Sequence, residues 1–277
     1  MTAVLDSAPT TIARRSPLKV TQARVLHSEW TKFRSLRSTV WTLLVAVVLM
    51  VGIGSLFSAV TASQFHTFSA KDIATFNPIS TSLNGISFAQ LAIGVLGVLM
   101  ITGEYSTGMI RASLTVVPRR VPVLWGKLTV FAGVVLGVSL VTSFVAFFLG
   151  QALLNSHNLG VAISAPGALR SVVGAALYMT VAGLIGMAIG SLLRNTAAAI
   201  STFVAAFFVL PPLAGLLPTS ISNHIVQYFP SNAGAALYGG SRDVTNVLSP
   251  WAGFAVLCAY AAVLIAAAAW RLRRHDA

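Results

Sequence analysis

The chain is poor in almost everything a water-soluble enzyme works with. Only 9% of its 277 residues are charged, and Asp and Glu together number six. A soluble domain usually carries about 25% charged residues, so an ordinary aqueous globule is excluded. One cysteine, Cys258, permits no intramolecular disulfide and leaves the redox compartment unreadable, and the five histidines spell out no metal cluster. Hydrolysis inside a membrane would need a base or metal ligand near a nucleophile. His27, His66, His157, His224 and His275 all lie outside the long apolar runs, and Cys258 reads as a small apolar filler. The pattern G-x-x-x-x-G-K-[ST] is missing too: the only Gly-Lys pair, Gly126–Lys127, is followed by Leu128 and opens an apolar run. No enzyme is expected, no metal, and no cofactor bound by the chain itself.

What the chain has is hydrocarbon. Hydrophobic residues make up 56% and mean hydropathy is +0.83. Crossing roughly 30 Å of lipid takes about 20 helical residues, and six stretches suffice: 40–60, 83–102, 128–149, 172–193, 197–217 and 251–270. None contains Asp, Glu, Lys, Arg or His. The second is weakened by Asn84, Ser87 and Gln90, and only Arg194–Thr196 separates the fourth from the fifth, which requires a tight hairpin. Fifteen of the eighteen Lys and Arg residues fall on one side of this topology, including Lys127 in the loop after span two; Lys71, Arg170 and Arg242 fall on the other. By the positive-inside bias both termini are cytoplasmic and the net charge of +12 needs no nucleic acid to explain it. The first apolar run exceeds a signal-peptide core, so a retained anchor in the plasma membrane is expected. Gly133/Gly137 and Gly186/Gly190, with Gly183 one turn earlier, have the spacing that lets helix backbones approach in lipid, and intramolecular packing is the expectation for both pairs, ahead of a subunit interface.

Several segments leave the lipid with specific character. Residues 1–23 read as a disordered basic tail. After them, Val25, Leu26, Trp30, Phe33 and Leu36 share one helical arc, opposite Arg24, His27, Thr31, Arg34 and Ser35. A basic amphipathic helix of this kind lies in the membrane interface. Glu29 and Arg37 interrupt its apolar arc; Glu29 either pairs with Lys32 at i,i+3 or faces another protein segment. Between spans two and three, "GEYSTGMIRASLTVVPRR" carries a short helix with Met109, Ile110 and Leu114 on an apolar face, stopped at Pro118. It is longer than a turn requires and suits contact with a cytoplasmic partner. Between Pro218 and Pro250, "HIVQYFP" and "NAGAALYGG" are too short to span but fit a re-entrant pair packed against the bundle. Pro211 and Pro212 are expected to kink span five.

The order of "SEWTKFRSLRS", a first span, "LGVLMITGEYSTGMIRASLTVVPRR", the "LLRNT" hairpin and "YFPSNAG" resembles the permease subunits of ABC-2 type transporters, in particular compact six-span actinobacterial ones. The resemblance runs from about Arg24 to Arg274. It implies an all-α polytopic fold of six transmembrane helices with an N-terminal interfacial helix, a cytoplasmic coupling helix between spans two and three and a re-entrant outer segment. It also implies an exporter's translocation pathway, driven by a separate nucleotide-binding ATPase subunit that holds ATP and Mg, and completed by a second permease as a homodimer or heterodimer. The positions it assigns to ATPase coupling are Glu104, Tyr105, Thr107, Gly108, Met109, Ile110, Arg111 and Leu114. Those of the interfacial helix beside them are Glu29, Trp30, Lys32, Phe33, Arg34 and Arg37. An ATP-independent secondary transporter is the competing reading, weakened by spans without ionisable residues. A non-transporting membrane anchor or sensor would use the same cytoplasmic surface. The sequence leaves the cargo and the substrate-binding residues open; Tyr178, Thr180, Ser201, Thr202, Ser139 and Ser143 either line a passage or satisfy backbone.

Overall fold

The computed structural model describes residues 22–106, 120–239 and 247–274, and every regular element among them is helical. α1 (Gln22–Ser35) passes through one extended residue, Leu36, into α2 (Arg37–Val48). A π turn, Leu49–Ile53, joins α2 to α3 (Gly54–Gln64). Short α4 (Ala70–Thr75) starts with a Ser69–Asp72 capping box, and α5 (Pro78–Ser82) is capped by the Asn77 side chain. α6 (Ile86–Ser106), α7 (Arg120–Asn155) and α8 (Ala168–Leu193) follow. α9 (Thr196–Val204) and α10 (Leu210–Gly215) are joined by a second π turn, Ala205–Val209. α11 (Thr219–Ile225) and α12 (Pro230–Tyr238) precede α13 (Pro250–Arg274). Six helical stretches among the described residues are long and apolar enough to cross a membrane. This is an all-helical, multi-pass membrane protein.

The six expected spans are all there, with shifted ends. The second begins at Ile86 rather than Leu83, because Gly85 lies against the backbone of Met50 in the π turn and holds the chain in a turn first. The third helix starts at Arg120, so Lys127 lies within α7, two turns from its start, and not in a loop. At the other end of the chain, Gln22 and Ala23 belong to α1 rather than to a tail, and residues 1–21 lie outside the described residues.

α8 is apolar on every face, and such a helix belongs in the middle of a bundle. It packs on α6, α7, α9, α12 and α13. Contact with α6 is closest because both helices present glycine: Gly97 meets the Gly183 carbonyl, and Gly186 meets that of Gly94. No Cβ fits there. Gly190 completes the seam against Val98, so Gly183, Gly186 and Gly190 pack within the chain as expected. Gly133 and Gly137 differ, since a Cβ at either position would meet nothing within 4 Å. That pair faces away from the bundle, and intramolecular packing does not explain it.

The hairpin after α8 turns on Arg194 in the left-handed region (φ 56°) and Asn195, whose side chain accepts from the Ala198 N–H and caps α9. In span five the π turn immediately precedes Pro211 and Pro212, whose missing N–H groups break the regular ladder. The segment after Pro218 forms two short helical pieces divided at Pro230. The second, α12, is almost wholly buried: Gly234 accommodates the Tyr178 ring and Gly253 of α13 approaches the Ala233 carbonyl.

Candidate functional site

Two helices set the site. Glu29 and Phe33 lie one turn apart on α1, and Lys127 and Phe131 lie one turn apart on α7. The two pairs meet in register. Lys127 Nζ is 2.6 Å from Glu29 Oε2, and the Phe33 and Phe131 rings meet edge to face at 6.5 Å. α6 supplies the third side: Glu104 Oε1, two residues before the described helix ends, is 2.7 Å from Lys127 Nζ. Lys32 closes the figure, 2.9 Å from Glu29 Oε1 and 3.5 Å from Glu104 Oε1. Carboxylate and ammonium alternate around a four-membered ring with no net charge.

The ring is out of water. Glu29 and Lys127 are 2% and 3% exposed and Glu104 is buried, while Lys32 is partly exposed. Burial alone would raise the Glu29 carboxyl, but the nearby ammonium groups, Lys127 first and then Lys32, outweigh it and hold Glu29 below the usual carboxylate value. Burial would likewise lower Lys32, yet Glu29 and Glu104 carry it above the ordinary lysine value. Glu29 and Lys32 are therefore charged at neutral pH. Taking isolated charges out of water costs several kcal/mol each, so their persistence here depends on mutual pairing. Chemically the ring holds: its charge-assisted hydrogen bonds tie α1, α6 and α7 together.

Its place in the chain gives it meaning. Glu104 and Lys127 stand on either side of the segment 107–119, and their ion pair closes that segment at its base. Thr107, Gly108, Met109, Ile110, Arg111 and Leu114 lie outside the described residues. Tyr105 is described, with the Arg194 guanidinium 5.2 Å above its ring. The hairpin between spans four and five thus touches the same end of the bundle. Trp30 and Arg34 on α1 are exposed, as are Leu36 at the break after it and Arg37 at the start of α2, whereas Phe33 is buried. The expected single apolar arc is therefore divided: its Phe33 edge, with Glu29, faces the protein, and its Trp30 and Leu36 edge faces outward. Both readings of Glu29 hold together, since it pairs with Lys32 and with a distant helix.

A family model described as ABC-2 family transporter protein matches residues 66–277. The chain belongs to the ABC-2 transporter family. It is a membrane transporter permease. Among curated proteins none matches it. The matched region contains Glu104 and Lys127, while Glu29 and Lys32 precede it.

Lys127 is the residue of this permease that sequence reasoning passed over, having counted it as a flanking positive charge. A usable signal was present: Glu29 and Lys127 are each followed four residues later by phenylalanine. The polar residues considered for a passage divide differently. Thr180 and Thr202 donate to the carbonyls one turn back, at Ala176 and Ala198, and thus serve their own helices. Tyr178 donates to Gln90 Oε1 across the α6–α8 seam. Ser201 is exposed, and the buried Ser139 and Ser143 hydroxyls on α7 have no hydrogen-bond partner among the described residues. Gln151, also not anticipated, donates to the Pro78 carbonyl and the Ser82 hydroxyl, and accepts from the Val161 N–H. It ties the loop after α7 to α5.

Proposed function

We propose that the chain is the permease subunit of an ATP-driven exporter, with both termini in the cytoplasm, and that the segment 107–119 docks on a separate nucleotide-binding ATPase. A second permease, identical or not, completes the pathway. ATP and Mg belong to the ATPase. In this reading α1 lies in the membrane interface, and the piece 224–230 with α12 forms the re-entrant pair of the opposite face.

One observation carries the reading. The docking segment is clamped at its base by Glu104 and Lys127, and the same two residues hold α1 through Glu29 and Lys32. A displacement imposed on the segment by the ATPase therefore moves α1 and the starts of spans one and three together. A ligand shifts such an equilibrium only through different affinity for its two states, so the ATPase must bind the segment differently with and without nucleotide. An ion-coupled carrier would need its ionisable groups within the membrane. Here the buried charges among the described residues neutralise one another, Glu29 in the middle of α1, Glu104 in the last turn of α6 and Lys127 two turns into α7.

The test is purification of the tagged chain from its own host in mild detergent. An ATPase is expected to accompany it and to be lost from Gly108→Trp, a change within the docking segment and outside the ring. Recovery of equal ATPase with the variant would refute docking through this segment. Recovery of none with the native chain would return the carrier reading.

A further inference from the structure

On the face of α7 away from the ring, α7, α8 and α13 enclose an open-sided groove of about 360 Å³. Trp125 of α7 and Leu184 of α8 form two walls, and Cys258, Ala262, Ala266 and Ala269 of α13 form the third. From Cys258 to Ala269 the α13 wall covers about 16 Å at 1.5 Å per residue, the depth of one leaflet of a ~30 Å core. Trp125, half exposed, stands near the start of α7, where an amphipathic ring marks the membrane interface.

The groove has a charged mouth. Ala262, Ala266, Ala269 and Arg273 follow at i, i+4, i+7 and i+11, so Arg273 continues the alanine face one turn beyond the groove. Its neighbours are engaged: Arg271 donates to the Leu192 carbonyl, and Arg274 lies 4.5 Å over the Trp270 ring. Arg273 is exposed and makes no ion pair or ring contact among the described residues. A basic group at the rim of a leaflet-deep apolar slot complements a molecule with an anionic head and a hydrocarbon tail.

We propose that the groove binds one anionic phospholipid, an acyl chain lying along α13 from Ala269 to Cys258 and the headgroup phosphate on Arg273. Trp125 and Lys127 project from nearly opposite faces of α7. The lipid then braces from outside the same turn that the ring holds from inside. The inference does not depend on ATPase docking.

The test uses the purified full chain in mild detergent with dioleoyl phosphatidylglycerol or dioleoyl phosphatidylcholine, and native mass spectrometry to count retained lipid. The native chain should retain one phosphatidylglycerol with a preference of about fivefold over phosphatidylcholine, the worth of one arginine near an anionic surface. Arg273→Gln should abolish the preference, and Ala266→Phe, which fills the slot, should cut retention about tenfold or more. Cys258 gives a readout without mutation, because it is the chain's one cysteine and lines the groove. Its alkylation by N-ethylmaleimide should slow with phosphatidylglycerol and not with phosphatidylcholine. Equal retention of both lipids by the native chain, an unchanged preference in Arg273→Gln, or alkylation indifferent to lipid would overturn the proposal. So would a dimer that Ala266→Phe dissociates without changing bound lipid, which would assign the groove to a second copy.

Discussion

Replacing Lys127 by methionine keeps the side chain's length and removes the charge that two buried carboxylates share. Among the described residues Glu29 and Glu104 would then have only Lys32, at 2.9 and 3.5 Å and partly exposed to solvent. Removing one partner of a buried ion pair costs about 3–5 kcal/mol. The main apolar hold on α1 is Phe33 against Phe131, with about 1.5–3 kcal/mol from burial and about 0.5–1.5 kcal/mol from the edge-to-face contact. The loss is therefore comparable to everything else that docks α1, while the glycine seam between α6 and α8 lies elsewhere. The expected result is local: α1 detaches and the bundle stays folded. Hydrogen exchange on the detergent-solubilised chain reads this directly, with α1 amides losing about a hundredfold or more in protection and α8 amides unchanged. Adding Glu29→Gln to Lys127→Met removes the stranded carboxylate and should recover about 1–3 kcal/mol relative to additivity. Unchanged α1 protection in Lys127→Met, or additivity of the two changes within about 0.5 kcal/mol, would refute the reasoning.

The ring also sets a pH window. Glu29 is lowered from its reference of 4.5, so its contribution is complete above that value and is lost as pH falls through the lower folded value. Lys32 is raised from 10.5, so its contribution is complete below that value and is lost as pH rises past the folded one. α1 protection should be flat through neutrality and fall on strong acidification, and a transition between about pH 6 and 8 would contradict this assignment. Gly186→Val should push α8 from the Gly94 carbonyl and destabilise the bundle by about 1–3 kcal/mol or more in thermal unfolding; a neutral effect would show that the seam is not close-packed. Tyr178→Phe strands the Gln90 carbonyl oxygen and should cost about 1–3 kcal/mol by the same assay, more than Thr202→Val at an exposed position. Lys127→Arg, conservative in charge, should still loosen α1 in hydrogen exchange by about 1–3 kcal/mol because the guanidinium is too large for the site; native-like protection would show that charge alone suffices.

The six spans were legible because length and apolarity decide them, and the Arg194–Thr196 hairpin because so few residues allow only one kind of turn. What the sequence hid was contact between segments far apart along the chain. Glu29 looked anomalous on an apolar arc, which was correct, but its second partner lies on α7 and no local period points there. Lys127 was hidden by a boundary: with span three begun at Leu128 it became a loop charge, whereas in a helix running from Arg120 it points inward. The two G-x-x-x-G pairs had identical spacing and opposite outcomes. Spacing shows that a helix can approach another, and only the facing Gly94 and Gly97 made α8 do so.

The chemistry of the ring explains why lysine rather than arginine occupies its centre in a chain whose cations are mostly arginine. An ammonium is a compact point charge with three donors that can diverge, whereas a guanidinium presents a planar fork suited to one carboxylate. Lys127 Nζ must reach carboxylates on two different helices, at 2.6 and 2.7 Å, and divergence is what that demands. The carboxylates are equally telling. The chain has two glutamates, Glu29 and Glu104, and both are in the ring. A purely apolar contact of the same size would hold the three helix ends at lower desolvation cost, but in lipid it would compete with acyl chains that are just as apolar. Paired charges are directional where acyl chains are not, so they select one register of α1 on α7 and α6. That selectivity is what the proposed docking of the segment 107–119 on an ATPase would require.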